Sequence, residues 1–218
     1  MTLTRYGIRE WGLATAAAVV MGVWFWPNPW VLGATGLLWV AVAGFFRDPR
    51  FRRPTSSDPR DLVSPADGVV SAIVETEQHD AVEGPALIVR IFLSVLDVHI
   101  NRSPCDAEVV ALRHTPGKFL DARTEESAQV NESNIIQLKL KDGLRIGVRQ
   151  VSGAIARRIV CPLRPGDCLA RAERFGMIKF GSTTELIVPR SSVESLHVAK
   201  GDRVRGGVTT LVRLRAAR

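Results

Sequence analysis

The chain has 218 residues, of which 46% are hydrophobic and 23% charged. That length and apolar content exclude a disordered chain, and three cysteines in 218 residues exclude a disulfide scaffold. Lys and Arg exceed Asp and Glu by 29 to 22, a net +7, so an anionic partner is expected, with nucleic acid and an anionic membrane surface both in view.

From Trp11 to Phe46 there is no Asp, Glu, Lys or Arg. Two prolines in Pro27-Asn28-Pro29 divide this run, because neither can continue a helix. The pieces Trp11–Trp26 and Trp30–Phe46, 16 and 17 residues, are slightly short for perpendicular spans of a hydrocarbon core about 30 Å thick. Trp24, Trp26 and Trp30 gather at the break, as in an interfacial aromatic belt. Arg5 and Arg9 lie before the run and Arg47, Arg50, Arg52 and Arg53 after it, which predicts a membrane hairpin with both ends cytoplasmic. A signal peptide does not fit, since a second apolar run follows with no cleavage-like site between them.

Residues 47–60 are rich in Arg, Pro and Ser and read as a basic linker along lipid head groups. Short strand-like runs follow between turn signals: Gly68–Val74, Ala86–Leu93, Glu108–Leu112, Ile135–Leu140, Leu144–Val151, Ile155–Val160, Met177–Phe180, Glu185–Val188, Ser195–Val198 and Val208–Leu214. Only part of Asp121–Val130 has a helical period. The predicted fold class is therefore mainly β (α+β), with an apolar helical hairpin at 1–46, the linker at 47–60 and a β domain at 61–218. Ser64–Val70 and Val198–Gly207 resemble pieces of the barrel-sandwich hybrid folds of lipoyl and biotinyl domains. No Lys sits on a hairpin tip as a swinging-arm carrier would require.

Residues able to carry chemistry are few. Of the four His, His79 sits in a charged loop and His197 alternates with apolar neighbours in a strand. Cys105, Cys161 and Cys168 have neither CxxC spacing nor a paired His, so no metal site is expected. No glycine-rich phosphate loop is present, and the region beyond the hairpin has no Trp to stack nucleic-acid bases, so no nucleic-acid partner is expected. His99 is different: it shares the end of an apolar strand with Asp97, Asn101 and Arg102.

Three segments in order, Ser64-Pro65-Ala66-Asp67-Gly68-Val69-Val70, Phe92–Pro104 and Lys179-Phe180-Gly181-Ser182-Thr183-Thr184, resemble the phosphatidylserine decarboxylase family in its short bacterial and archaeal form. Phe45-Phe46-Arg47-Asp48-Pro49, Pro116–Leu120, Asn131–Asn134 and Val151–Cys161 extend the resemblance over nearly the whole chain. It implies a precursor that cuts itself between Gly181 and Ser182 into a β chain of residues 1–181 and an α chain of residues 182–218. The new amino terminus would carry a covalent pyruvoyl group made from Ser182. A glycine before the cut suits the strained geometry of an N-to-O shift. The serine hydroxyl needs a base, and Asp67 orienting a His that deprotonates Ser182 has the logic of a hydrolase triad. The pyruvoyl carbonyl would then draw electrons as phosphatidylserine loses carbon dioxide to become phosphatidylethanolamine.

Longer family members carry two His three residues apart in the Phe92–Pro104 strand, and here the second position is Arg102. The base is then His99 alone or His114 from a neighbouring strand end. Arg102 is a candidate for binding substrate phosphate or carboxylate. The implied partners are phosphatidylserine and an anionic membrane surface, with the catalytic domain on the cytoplasmic face of the cell membrane. A homodimer is a reasonable expectation. The competing reading is a membrane-anchored barrel-sandwich adaptor without catalysis.

Overall fold

The computed structural model describes residues 2–121, 123–154, 158–179 and 182–216. The chain forms two compact units, Met1–Phe51 and Arg52–Arg218.

The first unit is a helical hairpin. A two-residue clasp, β1 (Thr2–Leu3) with β2 (Arg47–Asp48), ties its ends. Helices α1 (Ile8–Trp24) and α2 (Pro29–Phe45) lie between them. The Asn28 side chain accepts from the backbone N–H of Trp30 (3.0 Å) and Val31 (3.3 Å), and Pro29 occupies the first turn, where its missing N–H costs nothing. Trp39 Nε1 donates to Thr15 Oγ1 at 2.9 Å, joining the two helices by a polar contact. Leu13, Val23, Trp24, Trp26, Trp30 and Leu37 are exposed. With 17 residues, each helix is about 25 Å long. Among the described residues no helix is long and apolar enough to cross a membrane.

The second unit is mainly β. In chain order its elements are β3 (Asp61–Val63), β4 (Gly68–His79), β5 (Gly84–Leu93), β6 (Ile100–Arg102), β7 (Ala107–Thr115), α3 (Glu125–Val130), β8 (Ser133–Lys139) and β9 (Arg145–Val151). There follow β10 (Arg158–Val160), β11 (Cys168–Leu169), β12 (Arg174–Lys179), β13 (Ser182–Pro189), β14 (Val193–Leu196), β15 (Arg203–Val204) and β16 (Thr210–Leu214). A curled antiparallel sheet has the order β11-β7-β8-β9-β13-β5-β4-β15, and two three-stranded sheets, β10-β12-β6 and β14-β16-β3, complete the unit. The mainly β reading with an N-terminal helical hairpin is what the chain adopts, its large sheet curled into a half-barrel. Every predicted strand overlaps an observed one, although Ile155 and Phe180 lie outside the described residues. The core packs Val89, Ile91, Leu138, Val148 and Leu186 of the large sheet against Leu62, Phe175 and Val212 of the small ones.

At Gly68 and Gly207 close approach coincides with a positive φ. Gly68 has φ +151°, and a Cβ there would stand 2.1 Å from the Phe92 carbonyl oxygen. Gly207, at φ +73°, would place a Cβ 2.8 Å from Arg102 Cδ. Residues 52–60, read from sequence as a linker, are bonded into this unit: Thr55 N–H donates to the Val208 carbonyl at 3.0 Å, and Arg171 Nη1 to that of Asp58 at 2.6 Å.

Candidate active site

Ser182 opens β13, where it pairs with Leu93 of β5. Side chains alternate along a strand, so Ser182 and Thr184 share the face of Leu186 and Val188, which is the face of the main core. Ser182 is completely buried, and its hydroxyl has no hydrogen-bond partner among the described residues. Burying an unsatisfied hydroxyl costs about 1–3 kcal/mol, so this atom calls for a functional explanation. Gly181, the other half of the expected cleavage site, lies outside the described residues.

The chain reaches His99 from the end of β5. Asp97 folds the connection back by accepting from Ser94 N–H (2.9 Å) and Ser94 Oγ (2.7 Å). His99 follows, fully buried, with Nδ1 3.0 Å from the Asp97 carbonyl oxygen. A carbonyl only accepts, so Nδ1 carries the hydrogen, and in the neutral form of the ring the lone pair would then be on Nε2. That is the tautomer a general base needs. The His99 carbonyl accepts from Ile178 N–H at 3.2 Å, which fixes it beside β12, the strand that leads on to Ser182.

Asn101 lies two residues after His99, in the middle of β6. Its Nδ2 donates to Thr184 Oγ1 at 3.0 Å, while its Oδ1 accepts from Gln150 Nε2 at 2.9 Å. Gln150 Oε1 accepts in turn from Asn134 Nδ2 at 3.1 Å. All four side chains are buried. The strand that begins just after His99 is thereby bonded to the strand with Ser182.

Asp67 stands at the same end of the sheet. Val69, Phe92 and Thr183 form one row across β4, β5 and β13, and Asp67 and Ser182 lie just beyond it, roughly 10 Å apart along the sheet. The Asp67 carboxylate accepts from Arg52 Nη1, from Arg52 Nη2 at 2.7 Å and from Gly206 N–H at 2.8 Å. Its hydrogen bonds therefore go to Arg52 and Gly206, whereas His99 Nδ1 is engaged by the Asp97 main chain. The Asp67 loop still touches the site strand, since Arg102 N–H donates to the Pro65 carbonyl at 2.9 Å. The Arg102 side chain is buried on the opposite face of β6 from Asn101, with Nη1 2.9 Å from the Ala172 carbonyl.

His114 is not brought to Ser182. It pairs through Asn134 and Gln150 to Thr184, three strand spacings or roughly 14 Å along the sheet. Its ring is exposed, 3.8 Å from Glu132. Thiol chemistry has little support, because burial pushes Cys105 up to about 12 and raises Cys161 as well, leaving both as thiols at neutral pH. A cavity of about 760 Å³ bordered by Arg60, Cys105, Lys141, Arg171 and Arg215 includes none of Ser182, His99 or Asn101. Open volume is a weaker pointer here than an orphaned buried hydroxyl.

Sequence reasoning passed over Arg52, Gln150, Thr184 and the Asp97 carbonyl as parts of this site. Only Ser94-x-x-Asp97, a spacing typical of a turn closed by a side chain, carried a signal that could have found one of them.

Known proteins give the chain its family. A family model described as phosphatidylserine decarboxylase matches residues 40–212. A phosphatidylserine decarboxylase proenzyme of Carboxydothermus hydrogenoformans is 43% identical over 188 residues, 86% of each chain. One from Rhodopirellula baltica is 41% identical over 219 residues, covering 98% of this chain and 88% of its own. One from Symbiobacterium thermophilum is 46% identical over 187 residues, 85% of each. With matches of this extent, the chain belongs to the phosphatidylserine decarboxylase family and is a decarboxylase.

Proposed function

We propose that the chain is a precursor that cuts itself between Gly181 and Ser182 and then converts phosphatidylserine to phosphatidylethanolamine and carbon dioxide. The observation that carries this reading is the buried hydroxyl of Ser182, without a partner among the described residues, on a strand bonded through Thr184 and Asn101 to the strand that follows His99. The word proenzyme in the relatives' names supports a chain made active by cleavage.

In this reading His99 Nε2 takes the Ser182 proton as Oγ attacks the Gly181 carbonyl carbon. The C–N bond then breaks, the freed amine takes the proton from His99, and the peptide has become an ester. Loss of the Ser182 α-hydrogen expels the Gly181 carboxylate, which becomes the end of the first chain. Addition of water and release of ammonia leave a pyruvoyl group at position 182. That group supplies a carbonyl able to accept the electron pair released with carbon dioxide. His99, protonated on Nε2, is the acid that returns a proton to the substrate carbon. Asp67 acts as a positioning residue through Arg52 and the Pro65 loop. The exposed Trp24, Trp26 and Trp30 of the hairpin support docking at a membrane surface rich in the lipid substrate.

Purified protein incubated with vesicles containing phosphatidylserine tests the reading. Carbon dioxide release that phenylhydrazine abolishes is expected, since a pyruvoyl carbonyl reacts with it. Release unaffected by carbonyl reagents would overturn the pyruvoyl assignment.

A further inference from the structure

We propose that Asn101 is a positioning residue for self-cleavage, the last link of a buried amide chain that sets the Ser182 strand against the strand that follows His99. The inference rests on the self-cleavage reading above and assigns roles to residues outside the Ser182–His99 pair.

Both ends of the Asn101 amide are engaged, which fixes its orientation. Asn134 donates to Gln150, Gln150 to Asn101, and Asn101 to Thr184, at 3.1, 2.9 and 3.0 Å. Donation therefore runs one way, and every amide meets the correct partner atom. The chain crosses from the large sheet, where Asn134 and Gln150 are paired between β8 and β9, to β6 of a small sheet and back to β13. Backbone ladders do not join β6 to β13, so this side-chain bond does what main-chain pairing does elsewhere. His99 stands two residues before Asn101, one position ahead of β6, and Ser182 stands two residues before Thr184 on the same face of β13. A shift of Asn101 against Thr184 is thus passed directly to the base and the nucleophile. Such networks are costly if half satisfied and specify a single arrangement when complete. Here the chain is complete while the adjacent Ser182 hydroxyl is orphaned, so the reactive group is excluded from the network that holds its strand.

Asn101→Ala, Thr184→Val and Thr184→Ser variants test this. Precursor made by cell-free translation is followed over time by gel for loss of the full-length chain, and the melting temperature of each variant is measured in a Ser182→Ala background. Asn101→Ala and Thr184→Val are expected to slow cleavage by about 10- to 100-fold, the scale of a misplacement near 1 Å. Thr184→Ser, which keeps the acceptor oxygen, restores the rate to within about threefold. Leu138→Ala, a core substitution outside the network, lowers the melting temperature at least as much and leaves the rate near wild type. Equal slowing by Leu138→Ala and Asn101→Ala, or equal rates for Thr184→Val and wild type, would overturn the positioning role alone. A wild-type chain that never cleaves would overturn the self-cleavage reading and this one with it.

Discussion

Arg52 is the first residue of the second unit, and its pairing with Asp67 is the contact whose loss we predict in most detail. The two side chains are 10% and 14% exposed, and Arg52 also reaches the Gly206 carbonyl through Nη1 at 2.8 Å. Removing one partner of a buried pair costs about 3–5 kcal/mol, because the other is left as an uncompensated charge. Asp67 would keep the Gly206 N–H bond and gain some water, which places Arg52→Ala at about 2–3 kcal/mol. For a unit of this size, 1 kcal/mol moves the melting temperature by about 2–4 °C, so a fall of about 5–10 °C is expected. The assay is thermal unfolding in a Ser182→Ala background, which keeps the chain in one piece. Asp67→Asn should cost a similar amount, and the double variant little more than either single one, a coupling of about 2 kcal/mol. A fall under about 2 °C, or single effects that simply add, would refute the view that this pair locks the Pro65 loop.

Three further outcomes are expected. Asp61 is buried and bonded by Arg213 at 2.7 and 2.9 Å, which holds its carboxyl at about 2, against an ordinary value of 3.8. A depressed carboxylate contributes stability above its unfolded value and loses it as pH falls toward the folded one, so about 2 kcal/mol should vanish between pH 5 and pH 2. Urea unfolding across that range should show the loss, and Arg213→Ala should flatten it. His99→Ala is expected to slow self-cleavage by at least about 100-fold, the usual worth of a positioned base, whereas His114→Ala stays within twofold of wild type. Equal effects from the two, read on gels of newly made protein, would contradict the assignment of the base. Replacing Trp24, Trp26 and Trp30 with Ser should shift the protein from pellet to supernatant in sedimentation with anionic vesicles, and unchanged pelleting would remove these side chains from the membrane contact.

Long, strongly patterned elements were legible in the sequence. The hairpin, its break at Asn28 and the strands of the large sheet follow from apolar runs and prolines that act locally. What was not legible was short or long-range. β6 is three residues, two of them polar, too little for any period to register, yet it holds Asn101 and follows His99. β13 begins at Ser182, four residues before its apolar run at Leu186, because Thr183 and Thr184 are ordered by their neighbours β5 and β9. Arg52 read as linker charge because its partner lies fifteen positions away. The group engaging His99 Nδ1 is a main-chain carbonyl, which every residue possesses and no side-chain pattern marks. Ser182, His99 and Asp67 were nameable through the family resemblance, whereas the bonds among their neighbours emerged only from the fold.

The most direct test of the account is the intact mass of the purified protein beside its Ser182→Ala variant. The account predicts two pieces of 181 and 37 residues from the wild type, the smaller one blocked to amino-terminal sequencing, and a single whole chain from the variant. A folded wild-type protein of undivided mass would contradict it.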